Sequence, residues 1–364
     1  MASHMTEKDF IVPAHPNKKK HGKVSASAPS NIALIKYWGK KKNQLPANPS
    51  LSFTLDNCVT ETSVFYERLD TPKPDFSFEL IFEGVPKESF RPKIQTFFER
   101  ILPYLPFLKE YHLRIETSNS FPHSSGIASS ASGMGALAVC LMTMEREFAP
   151  EIDHAFFKRK ASFLARLGSG SACRSIEGPL VQWGLNADIE GSSDLYGIPY
   201  PYEVHDSFKN YQDTILLVDE GQKQVSSTVG HDLMHGHPFA EQRFAQAHNN
   251  LSEFRSVLAA GDLERFTAIV ESEALTLHAM MMTSAPYFIL MKPNTLEIVQ
   301  KIWSFRKSSG LHPCFTLDAG ANVHVLYPEK EREAILTFIQ EELLQFCVEG
   351  NHIEDRTGSG ARAI

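Results

Sequence analysis

The stretch SNSFPHSSGIASSASGMGALA, residues 118–138, puts three glycines and seven serines into 21 positions. No other part of the chain constrains the fold as strongly. The residues before it, YHLRIET, alternate, with Leu113 and Ile115 on one side and Arg114 and Glu116 on the other. That pattern predicts a half-buried strand. The residues after it, MGALAVCLMTM, are apolar nearly all round and predict a buried helix. Between them lies a Gly/Ser turn that runs into a helix opening on Ser129-Ser130-Ala131-Ser132. A helix start carries unpaired N–H groups and the positive end of the dipole, and small residues let an anion approach them closely. The stretch is not a Walker A loop, because no Gly-Lys-Ser/Thr follows the glycines. GMGALA has the dinucleotide-binding spelling, but it begins inside the helix, where a pyrophosphate would not sit. A purely structural serine-rich turn is the competing reading.

With 364 residues and 42% hydrophobic content, the chain has ample material for a core and for two domains. A net charge of −7 gives no basis for a nucleic-acid surface, so an anion would be held by a few aimed donors. No run of 18 apolar residues occurs, and no apolar signal region opens the chain, so the expectation is a cytoplasmic protein without membrane spans. The five cysteines, Cys58, Cys140, Cys173, Cys314 and Cys347, are scattered and form no C-x-x-C, which argues against a disulfide framework or zinc ribbon.

Residues 1–22 read as a vector-derived leader (MASHM) and a solvated basic tail (HPNKKKHGK). Residues 24–67 read as strand-rich, with SLSFTL and TETSVFYE both alternating. Helical patterns cover about 91–102, 153–176, 240–260, 261–283, 295–308 and 329–347, and strands are expected at PLVQW, DTILLVDE and ANVHVLYP. The turn-rich EGSSDLYGIPYPYEVHDS marks a domain junction, dividing an N-terminal unit, 23–205, from a C-terminal one, 206–364. Interleaved strands and helices make the class α+β, or mixed α/β.

Four other stretches carry chemistry-bearing residues. In GSGSACRS (168–175), serine hydroxyls and backbone N–H groups beside Arg174 suit a carboxylate or phosphate; a flexible turn with a surface arginine would look the same. NIALIKYWGK gathers Lys36, Tyr37 and Lys40, and by itself reads as a strand with exposed lysines. TLDAGANVHV puts Asp318 between an apolar run and a glycine turn, a place for a catalytic carboxylate and equally for a cap. HDLMH (231–235) resembles a zinc helix, but the GHP that follows would end the helix at once, so a solvated polar loop is expected.

Taken in order, SAPSNIALIKYWGK, LPANPSLSFTLDN, SNSFPHSSGIASSASG, LARLGSGSACRSIEGPLVQW, VSSTVG and TLDAGANVHV resemble the diphosphomevalonate decarboxylase family of the GHMP kinase superfamily. The likeness spans about residues 25–325, and GSGA (358–361) is similar to the family's late glycine turn. It implies a two-domain GHMP kinase-like fold with the active site in the interdomain cleft, and a homodimer. By the same resemblance Gly126, Ser129, Ser130 and Ser132 would surround the triphosphate of ATP, with Ser130 near Mg²⁺. Tyr37, Lys40, Ser169, Ser171, Arg174 and Ser227 would surround mevalonate 5-diphosphate. Asp318, Arg174 and Lys40 would be the catalytic set, with Asp318 beside the 3-hydroxyl. The implied reaction is ATP-dependent decarboxylation to isopentenyl diphosphate. The alternatives are a decarboxylase of mevalonate 5-phosphate, or a small-molecule kinase that stops at phosphorylation. One departure falls on the phosphate loop itself: His123-Ser124-Ser125 stands where the family pattern has Thr-Ala-Ala.

Overall fold

The computed structural model describes residues 5–12, 18–122, 127–219, 221 and 227–364, without the side chains of Ser227 and Thr228. A 3-10 turn, Glu7–Phe10, precedes β1 (His21–Ile35), β2 (Ser50–Arg68), β3 (Ser77–Phe82) and β4 (Val85–Pro86). Then come α1 (Arg91–Ile101), β5 (Tyr111–Asn119), α2 (Ser129–Phe148), α3 (His154–Gly168), β6 (Leu180–Trp183) and β7 (Ile198–Pro199). The second half holds β8 (Gln212–Leu216), α4 (Ser227–Asp232), α5 (Ala240–Ala260), α6 (Leu263–Met282) and α7 (Pro293–Ser309). It ends with β9 (Cys314–Thr316), β10 (Val323–Tyr327), α8 (Arg332–Phe338), β11 (His352–Arg356) and β12 (Arg362–Ala363). The mixed helix-and-sheet class expected from the pattern is the class observed.

Two sheets organise these elements. The first has eight strands in the order β12-β1-β2-β5-β3-β4, with β6 joined to β2 and β7 to β6. β3 pairs parallel with β5. The second has four strands in the order β11-β8-β10-β9. Leu113 and Ile115 of β5 are buried, as their alternation requires, and α2 lies across β1 and β2. Asp153 caps α3 by accepting from the Phe156 N–H at 2.8 Å, and Asp262 caps α6 by accepting from the Arg265 N–H at 2.9 Å.

β1 and β2 serve both halves of the molecule. Their outer ends, with Val24, Ala26 and Val64, pack beneath α1, α2 and α3. Their inner ends, with Ile32, Leu34, Leu51 and Phe53, share a cluster with Ile215 of β8, Phe254 of α5 and Phe266 of α6. A third cluster holds the second sheet to α7 and α8. Two alternating segments of sequence thus merge into a single 19-residue strand, β2. The β1–β2 register slips between Pro29 and Asn31. Proline cannot donate to the ladder, and such bulges re-aim neighbouring side chains. Asn31 gains its site contacts there.

Three expectations need correction. Residues 5–12 are not solvated tail: Phe10 is fully buried and stacks on Phe163 with ring centroids 4.3 Å apart. Residues 18–22 are also engaged, through a Lys18–Glu110 ion pair and the start of β1. The last helix is not continuous over 329–347: α8, whose final residue Phe338 stacks on Phe305, passes into a π turn, Ile339–Leu343, and then a 3-10 turn. The C-terminal end does not stay with the second sheet, since Ala363 pairs with Ala26 of β1.

Candidate active site

β1 ends at Ile35, so Lys36 to Lys40 form the loop that leaves it. Lys36 is 1% exposed and is fixed from several sides. Its N–H donates to Glu273 Oε2 at 2.8 Å, and its carbonyl accepts from Asn48 Nδ2 at 2.9 Å and from Arg243 Nη2 at 3.0 Å. Arg243 in turn forms a buried two-point pair with Glu273, so one helix–helix contact sets the backbone of the loop. Lys36 Nζ then lies 3.1 Å from Asp318 Oδ1. Burial pushes the Lys36 ammonium below its ordinary range, while the Asp318 charge pulls it back up.

Asp318 follows β9 in a tight turn where the Gly320 N–H donates to its carbonyl at 2.7 Å. His278 Nε2 donates to that same carbonyl at 3.1 Å. Burial holds the His278 pKa down at about 4, so the ring is neutral and the proton sits on Nε2. The carboxylate is aimed by its backbone, and Lys36 faces it.

The 3-10 turn Gly170–Ser175 delivers Arg174, which is 3% exposed. Arg174 Nη1 donates to Ser50 Oγ and Nε to Asn31 Oδ1 at 3.3 Å, while Asn31 Nδ2 returns a bond to Ser175 Oγ at 2.9 Å. With two nitrogens pinned, the guanidinium is preorganised beside Asp318 in the same cavity. Tyr37 lies edge-on to Trp183 at 4.7 Å, and burial keeps its phenol protonated. Gly170 makes this possible: a Cβ there would come within 2.8 Å of the Tyr37 hydroxyl. Lys40, 3.6 Å from Asp232, together with Ser169 and Ser171, completes the polar wall.

A second, mainly apolar cavity adjoins this one, between α1, α2 and strands β2, β3 and β5; Leu80, Phe82, Phe90 and Ile94 line it. Ser130 and Lys93 belong to both cavities, and Ser130 Oγ lies 3.3 Å from Ser169 Oγ. Ala128 takes a left-handed conformation, φ +46°, just before α2, a strained geometry for a residue with a Cβ. Ser129 and Ser130 then open the helix at the junction of the cavities. These features fit ATP and Mg²⁺: an apolar compartment for a base, a helix N-terminus and two hydroxyls for phosphates, and hard oxygen ligands for the ion. Ser132 is the exception among the expected nucleotide residues. It is fully buried, its hydroxyl 2.6 Å from Thr60 Oγ1 and donating to the Ser129 carbonyl, because this position of the helix faces the sheet. Gly126, His123, Ser124 and Ser125 lie outside the described residues, as does the Ser227 side chain.

The sequence pattern gave no sign of Lys93, and it placed His231 in a solvated polar loop. Lys93 keeps solvent access at the cavity mouth, meets no carboxylate among the described residues, and has its pKa lowered by the atoms around it. Nothing in FRPKIQ distinguishes it from a solvated lysine. His231 sits in the cavity wall and not in a solvated loop, and because α4 ends at Asp232 it shares no helix face with the exposed His235. Lys36 did carry a signal, a charge directly after the apolar run ALI.

The chain matches two family models, the diphosphomevalonate decarboxylase-like N-terminal domain over residues 28–194 and the mevalonate 5-diphosphate decarboxylase C-terminal domain over residues 214–358. It is 29% identical to diphosphomevalonate decarboxylase mvd1 of Aspergillus fumigatus, over 86% of this chain and 78% of that one. Among solved structures it is similar to MDDEF in complex with MVAPP, AMPPCP and magnesium, with a TM-score of 0.80 and 29% identity over 94% of this chain and 99% of that one. It is also similar to a mevalonate diphosphate decarboxylase from Legionella pneumophila, with a TM-score of 0.75 and 30% identity over 91% of this chain and 100% of that one.

Proposed function

The chain belongs to the diphosphomevalonate decarboxylase family, and from that premise we propose how its residues divide the work of the reaction. The enzyme decarboxylates mevalonate 5-diphosphate with consumption of ATP, yielding isopentenyl diphosphate, ADP, phosphate and CO₂. The observation that carries the division of roles is the meeting of Lys36, Asp318 and Arg174 in one polar cavity, joined to an apolar one at the start of α2.

Bound ATP with Mg²⁺ supplies the phosphoryl group that turns a tertiary hydroxyl into a leaving group. Asp318 accepts the proton of the 3-hydroxyl, and Lys36 keeps the carboxylate oriented and charged for that task. Ser129, Ser130, Lys93 and Gly126 hold the phosphates, with the Ser130 hydroxyl nearest the metal. Tyr37, Lys40, Ser169, Ser171 and Ser227 hold the 5-diphosphate. Arg174 holds the C1 carboxylate in line with the breaking C3–O bond. As that bond breaks and phosphate leaves, the electron pair of the C1–C2 bond becomes the C2=C3 double bond and CO₂ departs. Positive charge growing at C3 is quenched by the electrons that Arg174 has helped to align.

We further propose a homodimer working in the cytoplasm, and a division into units at 23–205 and 206–364, with the end of the second unit returning to the first sheet through β12. No helix among the described residues is long and apolar enough to cross a membrane. The family resemblance supports the dimer, and the separate second sheet supports the division. Simultaneous measurement of ADP and CO₂ from mevalonate 5-diphosphate tests the reaction, with equal amounts of the two expected.

A further inference from the structure

α4 has six residues and packs directly on the loop that carries Tyr37 and Lys40. A Cβ on Gly230 would lie 2.5 Å from the Trp38 ring, so only glycine allows the approach. The next residue, His231, lies against both aromatic rings of the loop, 4.3 Å from Tyr37 and 4.7 Å from Trp38. Its Nδ1 is 3.0 Å from the Gly39 N–H. The following residue, Asp232, reaches Lys40 at 3.6 Å. Three consecutive residues of α4 thus touch four consecutive residues of the substrate loop, Tyr37 to Lys40.

We propose that His231 is the positioning residue that sets the backbone of the Tyr37–Lys40 loop for the diphosphate, acting through acceptance of the Gly39 N–H at Nδ1. The inference rests on the reading of this cavity as the mevalonate 5-diphosphate site. A backbone N–H can only donate, so Nδ1 must be unprotonated. Burial, with Lys40 and Arg174 nearby, keeps the ring neutral by lowering its pKa to about 3. An imidazole is suited to the position because its ring packs between two aromatic side chains while its edge accepts a hydrogen bond. Gly39 lies between the two substrate groups, so releasing its N–H would let Tyr37 and Lys40 shift together. The nucleotide cavity does not include His231.

Two variants separate the ring from the acceptor. His231→Phe keeps an aromatic ring and loses the acceptor; His231→Asn loses the ring but keeps an oxygen two bonds from Cβ, where Nδ1 stands. With wild-type enzyme as reference, His231→Phe is expected to raise KM for mevalonate 5-diphosphate roughly tenfold, the effect of one lost hydrogen bond. KM for ATP should stay within about twofold, and His231→Asn should recover most of the loss. Hydrogen exchange at the Gly39 amide, read without substrate, should show protection in wild type and in His231→Asn and its loss in His231→Phe. That readout stands even if the enzyme proves to act on a different substrate, which the wild-type CO₂ assay reveals separately. Unchanged Gly39 protection in His231→Phe would overturn the proposal. So would equal rises in both KM values, or an Asn variant no better than Phe.

Discussion

Lys36 Nζ and Asp318 Oδ1 lie 3.1 Å apart although 282 positions separate them in the chain. One comes from the end of β1 in the first sheet, the other from the turn after β9 in the second. The contact joins the two sheets at the shared β1–β2 strands. It places a buried cation against a carboxylate whose backbone is held by His278. A proton acceptor that must stay charged in a cleft is well served by that arrangement.

Asp318→Asn keeps the size of the side chain and removes the acceptor. Turnover should fall by about 10² to 10⁴, with nucleotide affinity nearly unchanged. Steady-state kinetics with a separate nucleotide-binding titration checks both parts. Turnover within tenfold of wild type would remove Asp318 from the role of base.

Arg174→Lys keeps the charge but not the fork that bonds Asn31 and Ser50. The expected result is a loss of kcat of at least about 10², since a carboxylate held out of line loses the benefit of orientation. Rapid-quench assays would place the loss in CO₂ release. A Lys variant with normal kcat would show that charge alone suffices.

Much of this was readable beforehand, and the parts that were not share a cause. The strand before the Gly/Ser stretch, the buried helix after it and the helix at Ala240–Ala260 follow from periodicity, a local property. Arg174 stood out within a Gly/Ser cluster, and Asp318 between an apolar run and a glycine turn. Lys93 did not, and His231 read as part of a polar loop, since the roles of both come from what other elements bring to them. Ser132 misled for the converse reason: its spelling continues the serine run, but one further step round the helix turns it to Thr60. Phe10 sat between a leader-like start and the basic run HPNKKKHGK, and only the contact with Phe163 shows its place. β11, HIEDR, pairs by backbone and carries no apolar alternation to detect.

Phe10→Ala should destabilise the fold by roughly 3 kcal/mol, the usual range for deleting a buried aromatic ring. The same segment brings Glu7 to 3.7 Å from the buried Arg166, which donates to the Leu195 and Asn43 carbonyls, so its loss should also loosen the loop beyond Lys40. Urea unfolding followed by circular dichroism checks the stability. A midpoint equal to wild type would mean that residues 5–12 do not contribute to folding.

Acid should weaken the protein through two histidines that the fold keeps neutral, His231 and His278. His231 and His278 titrate near 6.5 when unfolded and at about 3 and about 4 when folded. Between these values the unfolded chain binds more protons, so stability rises with pH there. Their contribution is complete above about pH 6.5 and is lost progressively as pH falls, down to about 4 for His278 and about 3 for His231. Each should contribute at most about 2 kcal/mol of loss between pH 6.5 and 5. Urea midpoints at pH 7.5 and 5 read this difference, and it should be smaller in His231→Phe. An equal difference in the variant would mean that His231 is not buried as a neutral ring.

The most direct test of the whole account compares kcat/KM for mevalonate, its 5-phosphate and its 5-diphosphate while trapping ADP and CO₂ together. Donors arranged for a diphosphate are left unpaired by a shorter substrate, at about 1–3 kcal/mol per group, and that remote binding energy also orients the reacting hydroxyl. The expected result is one CO₂ per ADP, with the 5-diphosphate preferred by at least tenfold over the 5-phosphate in kcat/KM and also ahead in kcat. ADP formed without CO₂, or a preference for the 5-phosphate, would contradict it.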